Sequence, residues 1–192
     1  IDKNISNKIV SQSKLSNKEI LEIGPGYGFM TDIILKKNPK QIILVEKDYN
    51  LVKFLKEKYN NNEKIIIHCM DILKFDLNQF ENLIIISNLP YNISTKTILH
   101  LFNNSKNIYE MVFMIQKEVA DKFDYNLSRM NKYKFLTKIV STYTKCFDVS
   151  ANVFIPKPKV KSSVVKFKFN KNNFDLINAI KFSKKIFKKK NF

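Results

Sequence analysis

The 192-residue chain carries 34 Lys and Arg against 17 Asp and Glu, a formal net charge of +17, and 44% of it is apolar. At roughly 150 residues per domain this is one domain with an appendage, and the apolar share excludes wholesale disorder. No apolar run exceeds the five residues Met111–Ile115, too few to span a bilayer, and Cys69 and Cys146 offer neither a disulfide framework nor a metal-ligand set.

The first apolar run, Ile20–Ile23, leads into Glu22-Ile23-Gly24-Pro25-Gly26-Tyr27-Gly28. Short runs of this kind, apolar here but for Glu22, fit a strand covered on both faces, as in a parallel sheet flanked by helices. All three glycines fall in this window, where average composition would scatter about thirteen along the chain. A chain so poor in glycine keeps it where a side chain would obstruct something. With Met30–Lys37 reading as a helix, this is the first βα turn of a nucleotide-binding sheet, an ordinary tight turn being the alternative. The dinucleotide pattern G-x-G-x-x-G would need glycine at Phe29, so no pyrophosphate cradle is evident.

The second run, Ile42–Val45, ends at Glu46, 18 residues after Gly28 and suited to ribose hydroxyls, with Lys47 beside it. Leu51, Val52, Leu55 and Tyr59 then share one helical face. After the third run, Ile65–Ile67, Asp71 can accept from an adenine amino group, with Ile72 against the ring. Glu22, Gly24, Gly26, Gly28, Glu46, Lys47, Asp71, Ile72 and Asn88 therefore form the expected cofactor set. An adenosine with a small cationic tail suits them, and S-adenosylmethionine is such a molecule.

The fourth run, Leu83–Ile86, is followed by Ser87-Asn88-Leu89-Pro90-Tyr91-Asn92-Ile93-Ser94-Thr95. An exocyclic adenine amine is a poor nucleophile because its lone pair is delocalised into the ring. Two acceptors aimed at its hydrogens favour the pyramidal form, acting as preorganised dipoles. Asn88 supplies a side-chain carbonyl, and Leu89 a backbone carbonyl held extended by Pro90. Tyr91 is placed to stack on the base and Phe154 to close its other face. Ile98, Leu101 and Phe102 continue as a helix, with Ser94 or Thr95 as its N-cap. Met111–Ile115 is the fifth strand. His68 and His100 stand among apolar neighbours and read as structural or surface side chains. Cytosine-C5 methylation lacks a suitably placed cysteine, and a zinc deaminase lacks its ligands.

From Phe147 the pattern changes. Phe147, Val149, Ala151 and Val153 alternate with polar residues, and so do Val165, Phe167 and Phe169, the pattern of an antiparallel pair at the sheet edge. Pro156-Lys157-Pro158 cannot be helical, and from Phe174 a basic amphipathic helix follows with Phe174, Ile177, Phe182 and Ile186 on its apolar side. Residues 145–192 hold 13 Lys and only two acids, Asp148 and Asp175, against 21 basic and 15 acidic residues before them. Codon bias would act evenly, so the asymmetry points to a polyanion surface, with Lys157, Lys159, Lys161, Lys184, Lys185, Lys188, Lys189 and Lys190 as the RNA-binding candidates.

Glu22–Gly28, Asn88–Thr95, Gln116-Lys117-Glu118-Val119-Ala120 and Phe154–Ser162 together resemble the KsgA-type rRNA adenine N6-dimethyltransferases, from Ile1 to about Phe169. The resemblance implies an α/β, Rossmann-like class I methyltransferase sheet, mostly parallel with an antiparallel edge hairpin. It implies S-adenosylmethionine as cofactor and two adjacent adenosines near the 3′ end of small-subunit rRNA as substrate, in a pre-30S-type particle. The Erm-type 23S rRNA methyltransferases share nearly the same motif, usually with Ile where Leu89 stands. The family's Gln-Asn-Phe-Leu segment would precede Ile1, its Tyr-Gly-Arg/Lys-Leu-Ser stretch appears as Tyr133-Lys134-Phe135-Leu136-Thr137, and its helical C-terminal domain would run past Phe192. The expected organisation is a methyltransferase domain at 1–170 and the start of a truncated or reduced helical region at 171–192. A monomer acting in the cytoplasm, or in an organelle, and away from membranes is expected. A non-catalytic RNA-binding assembly factor is the rival from another class, and Phe29 disfavours a third, an NAD-dependent oxidoreductase.

Overall fold

The computed structural model describes residues 2–127, 129–151, 160–170 and 176–187, without the side chains of Leu176, Ile177 and Lys184. Seven strands form one sheet: β1 (Glu19–Ile23), β2 (Gln41–Glu46), β3 (Ile65–Cys69), β4 (Leu83–Asn88), β5 (Ile108–Gln116), β6 (Ser141–Val149) and β7 (Ser162–Phe169). Their order is β3-β2-β1-β4-β5-β7-β6, parallel except for β7, which runs antiparallel to both β5 and β6. The mostly parallel sheet with an antiparallel edge pair is thus as the sequence predicts.

Two apolar layers sandwich the sheet. On one face pack α1 (Lys3–Val10), α2 (Phe29–Leu35) and α3 (Tyr49–Lys58), through Ile9, Val10, Ile33, Ile34 and Leu55. On the other pack α4 (Ser94–Asn103), α5 (Lys117–Phe123), α6 (Lys132–Val140) and α7 (Leu176–Phe187), through Ile98, Phe102, Phe123, Leu136 and Ala179. The Phe102 ring meets Phe123, Phe167 and Phe169 edge-on at 5.6–5.9 Å between centroids, each pair adding about 0.5–1.5 kcal/mol beyond its burial.

Several elements depart from the sequence reading. β3 is the edge of the sheet, and Ile66 on it is 40% exposed, so its apolar run is not covered on both faces. β6 begins at Ser141, six residues before the alternation becomes visible. Its first half, Ser-Thr-Tyr-Thr-Lys-Cys, is polar, and a bulge between Lys145 and Phe147 shifts its register against β7. Ala151 lies past the strand, and Val153 lies outside the described residues. Ile93, without a side-chain bond, is the N-cap of α4. Ser94 sits one residue inside, where its hydroxyl donates back to the Pro90 carbonyl at 2.8 Å. The stretch Tyr133–Thr137, where the family's motif differs, is part of α6. α7 buries Ala179 and Ser183 and leaves Phe182 and Ile186 54% and 45% exposed, so its apolar side is rotated from the predicted one.

Candidate functional site

β2 and β3 are added on one side of β1, whereas β5 lies beyond β4 on the other. The chain therefore reverses its direction of winding between β1 and β4, and the loops leaving their carboxyl ends diverge to open a crevice. The glycine turn leaves β1 there, and Asn88–Tyr91 leaves β4.

Gly24, Gly26 and Gly28 all hold left-handed backbone, with φ of +62°, +58° and +75°. Among the described residues a side chain at Gly26 would meet nothing within 4 Å, and one at Gly24 would meet only Pro90 Cδ at 4.0 Å. Those two positions keep an approach to the backbone open. Gly28 differs: a Cβ there would collide with the Tyr59 hydroxyl, so its bareness serves the packing of α3. The Tyr59 hydroxyl donates toward Asp32 Oδ1 (2.7 Å) and the Gly28 carbonyl (2.9 Å), and burial with the neighbouring Asp32 raises its pKa.

Glu46 ends β2 with its carboxylate held by the amides of Lys47 (2.8 Å), Asp48 (3.0 Å) and, more loosely, Gly26 (3.4 Å). Asp71 uses one oxygen to accept from the Leu73 amide at 3.0 Å, and its other oxygen has no partner among the described residues. Gly24, Glu46, Lys47, Asp71, Ile72 and Pro90 line a cleft of about 300 Å³. The acidic ends of β2 and β3, a buried isoleucine and an open glycine backbone fit a nucleoside, with hydroxyls toward Glu46 and a ring against Ile72. Ile23 and Val45 also line it, and Met70, Leu73, Asn92, Ile93 and Lys96, which complete the wall, were missed in the sequence. Their place directly after a parallel strand is a usable signal for Met70, Leu73 and Asn92; Lys96 has none.

Four expected cofactor residues, Glu22, Gly26, Gly28 and Asn88, do not line this cleft. Alternation along β1 puts Ile20 on the α1–α2–α3 side and Ile23 on the other, and Glu22 goes with Ile20. Glu22 is 1% exposed and accepts from the Thr31 hydroxyl at 2.6 Å, and burial pushes its pKa up to about 8. Glu22 thus fastens β1 to α2. Gly28 packs on Tyr59. Asn88, by the same alternation along β4, shares the side of Ile84 and Ile86, whereas the cleft is lined from the other side by Ile23, Val45 and Ile72.

Around Asn88 the backbone is firmly held while the acceptors are not. The Ser87 hydroxyl donates to the Ile23 carbonyl at 2.5 Å, and the Leu89 amide to the Met114 carbonyl at 3.2 Å. The Leu89 side chain is buried in the core, and the Tyr91 hydroxyl is 2.8 Å from Ser162 Oγ on β7. Neither the Asn88 carboxamide nor the Leu89 carbonyl has a hydrogen-bond partner among the described residues. Both are free to receive a ligand's N–H groups.

His68 stacks edge-on against Phe75 at 5.1 Å, and burial lowers the pKa of both His68 and His100, as structural side chains would show. Lys161 and Lys185 are exposed. Phe154, Lys157, Lys159, Lys188, Lys189 and Lys190 lie outside the described residues, as does the Lys184 side chain. No helix among the described residues is long and apolar enough to cross a membrane.

Residues 1–191 match the family model described as ribosomal RNA adenine dimethylase. The ribosomal RNA small subunit methyltransferase A of Malacoplasma penetrans is 40% identical over 184 residues, covering 93% of this chain and 65% of that protein. The protein of the same name from Pelagibacter ubique is 40% identical over 183 residues, covering 92% and 69%. The chain thus spans about two thirds of the length of these relatives. A dimethyladenosine transferase from Plasmodium falciparum has the same fold, with a TM-score of 0.86 at 24% identity over 98% of this chain and 70% of that one. So does the 23S rRNA methyltransferase ErmE, at 0.82 and 22% over 96% and 76%. The sheet is that of the class I methyltransferases.

Proposed function

The chain belongs to the ribosomal RNA adenine dimethylase family, and from that premise we propose that it methylates the N6 of two adjacent adenosines near the 3′ end of small-subunit rRNA, using S-adenosylmethionine. The observation that carries this reading is the pair of unengaged acceptors, Asn88 and Leu89, beside an open glycine turn at the point where the sheet reverses. When bound, S-adenosylmethionine supplies a methyl group on a sulfonium. Its adenosine suits the cleft of Glu46, Asp71 and Ile72, and the backbone at Gly24 and Gly26 is bare enough for its tail.

This chain's residues would then act on the target base. Asn88 and Leu89 accept the two amino hydrogens, which turns the nitrogen lone pair out of conjugation and stabilises the charge that develops on it. Pro90 keeps the Leu89 carbonyl extended. Tyr91, tethered through its hydroxyl to Ser162, offers a ring face to the base, with Phe154 as its counterpart. After a first methylation one N–H remains, so a single acceptor suffices in the second round while the space at the other admits a methyl group.

In this reading residues 1–170 form the methyltransferase domain and 171–192 open a basic helical region. Lys161, Lys185 and the other C-terminal lysines contact RNA phosphates, and the protein acts as a monomer on a pre-30S-type particle in the cytoplasm. The experiment incubates the chain with labelled S-adenosylmethionine and under-methylated small subunits. Label recovered as N6,N6-dimethyladenosine, and lost in Asn88→Ala, supports the reaction. Cofactor binding without any transfer overturns it in favour of a non-catalytic assembly factor.

A further inference from the structure

The sheet has a second opening, at the amino ends of its parallel strands. On the face covered by α1, β5 and β7 present Met114 and Val164 at one end, but Glu110, Lys166 and Lys168 at the other. α1 ends at Val10, and Ser11–Lys14 border the polar part without filling it. What remains is a cavity of about 770 Å³ with Lys14, Lys18, Lys166 and Lys168 in its wall. It holds more than twice the volume of the adenosine cleft. Ile84 lines it, and along β4 that residue stands roughly 13 Å from Asn88 at ~3.3 Å per residue.

Among the described residues Glu110 is the one carboxylate in that wall, and Lys166 neutralises it at 2.9 Å while donating to the Gln12 carbonyl at 2.8 Å. Lys166 therefore holds the wall together. Lys168 lies 5.4 Å from the centre of the Tyr109 ring. Lys14, Lys18 and Lys168 have no carboxylate partner among the described residues, and Ser13 Oγ is buried in the same wall without a hydrogen-bond partner. Two stretches of chain, the loop of Ser13–Lys18 and β7, thus bring three uncompensated cations to one recess, with an unpartnered hydroxyl in its wall. A phosphate group, with its negative charge and several acceptor oxygens, complements that set.

We propose that this cavity is a phosphate-binding site, separate from the transfer cleft, filled by a backbone phosphate of bound RNA or by a free phosphorylated small molecule. Only the RNA source rests on the function proposed above. The test compares the full chain with a double variant, Lys14→Ala and Lys168→Ala, both exposed positions. In anisotropy titrations with a small-subunit rRNA fragment across a salt series, the variant binds several-fold more weakly. Its slope of log K against log salt falls by about 1 per lost phosphate contact. Its affinity for S-adenosylmethionine stays unchanged. In parallel, inorganic phosphate shifts the amide resonances of Gln12 and Ser13 in the parent chain and not in the variant. Phosphate shifts with an unchanged RNA slope assign the site to a free phosphorylated molecule. No phosphate shifts and identical RNA slopes overturn the site. If RNA fails to bind even the parent chain while the phosphate shifts persist, it is the rRNA reading that falls and the site that stands.

Discussion

The turn after β1 and the turn after β4 face each other across one crevice, yet they treat their polar groups in opposite ways. The glycine turn spends its amides within the protein: that of Gly24 goes to Val45, that of Gly28 to Pro25 and that of Gly26, more loosely, to Glu46, which also gathers the amides of Lys47 and Asp48. The turn at Asn88–Tyr91 fixes its backbone and its tyrosine hydroxyl but leaves two carbonyl acceptors without a partner among the described residues. A region that shapes a cavity can satisfy itself, whereas a region that acts on a ligand has to keep valence in reserve.

Asn88→Ala is the sharpest way to break that contrast. It is expected to lower methyl transfer about 10²–10³-fold, the loss seen when one preorganised polar group is removed, with cofactor affinity unchanged in a separate binding titration. On the other turn, Gly28→Ala forces a side chain into left-handed backbone and against Tyr59. It is expected to cost about 2–4 kcal/mol in urea unfolding. Gly26→Asn separates strain from access, because asparagine tolerates the left-handed region and no described residue occupies the space beside Gly26. Its stability stays within about 1 kcal/mol of the parent, while S-adenosylmethionine affinity falls about tenfold or more in calorimetry.

Two smaller effects sharpen the comparison. The Glu22 pKa is raised from 4.5 to about 8, so the folded state holds a proton that the unfolded chain releases. That contribution is complete below pH 4.5 and is lost as pH climbs toward 8. Stability measured across that window therefore declines in the parent chain, and the decline flattens in Glu22→Gln. Tyr91→Phe removes the bond to Ser162 and costs about 0.5–1.5 kcal/mol, with transfer slowed a few-fold.

The five parallel strands, the glycine turn and the Asn88 motif were legible in the sequence because each depends on local pattern: apolar runs, clustered glycine, a residue held extended by proline. Glu22 was misread because its role depends on strand parity, which turns its carboxyl toward Thr31, and a motif does not state which face its acid takes. The start of β6 was hidden because an edge strand paired on one side tolerates Ser-Thr-Tyr-Thr. Asn17, Asn38 and Asn82 take left-handed turns with φ of +56°, +51° and +56°, positions that glycine commonly fills. That frugality is why the three surviving glycines carried so much information. Lys14, Lys18, Lys166 and Lys168 were not legible as a group, since only the folded sheet brings them together.

The tether from Tyr91 to Ser162 joins the acceptor turn to a strand 71 positions further along the chain, while Ser94 clamps the same turn at Pro90. A turn anchored from both directions yields little to an arriving nucleotide. In the proposed reaction, distortion would fall on the nucleic acid, whose adenosine must swing out to reach a receptor already in its final shape. Adenosines in strained or unpaired stretches would then be modified fastest, a selectivity arising from RNA pliancy rather than from letters read by the protein.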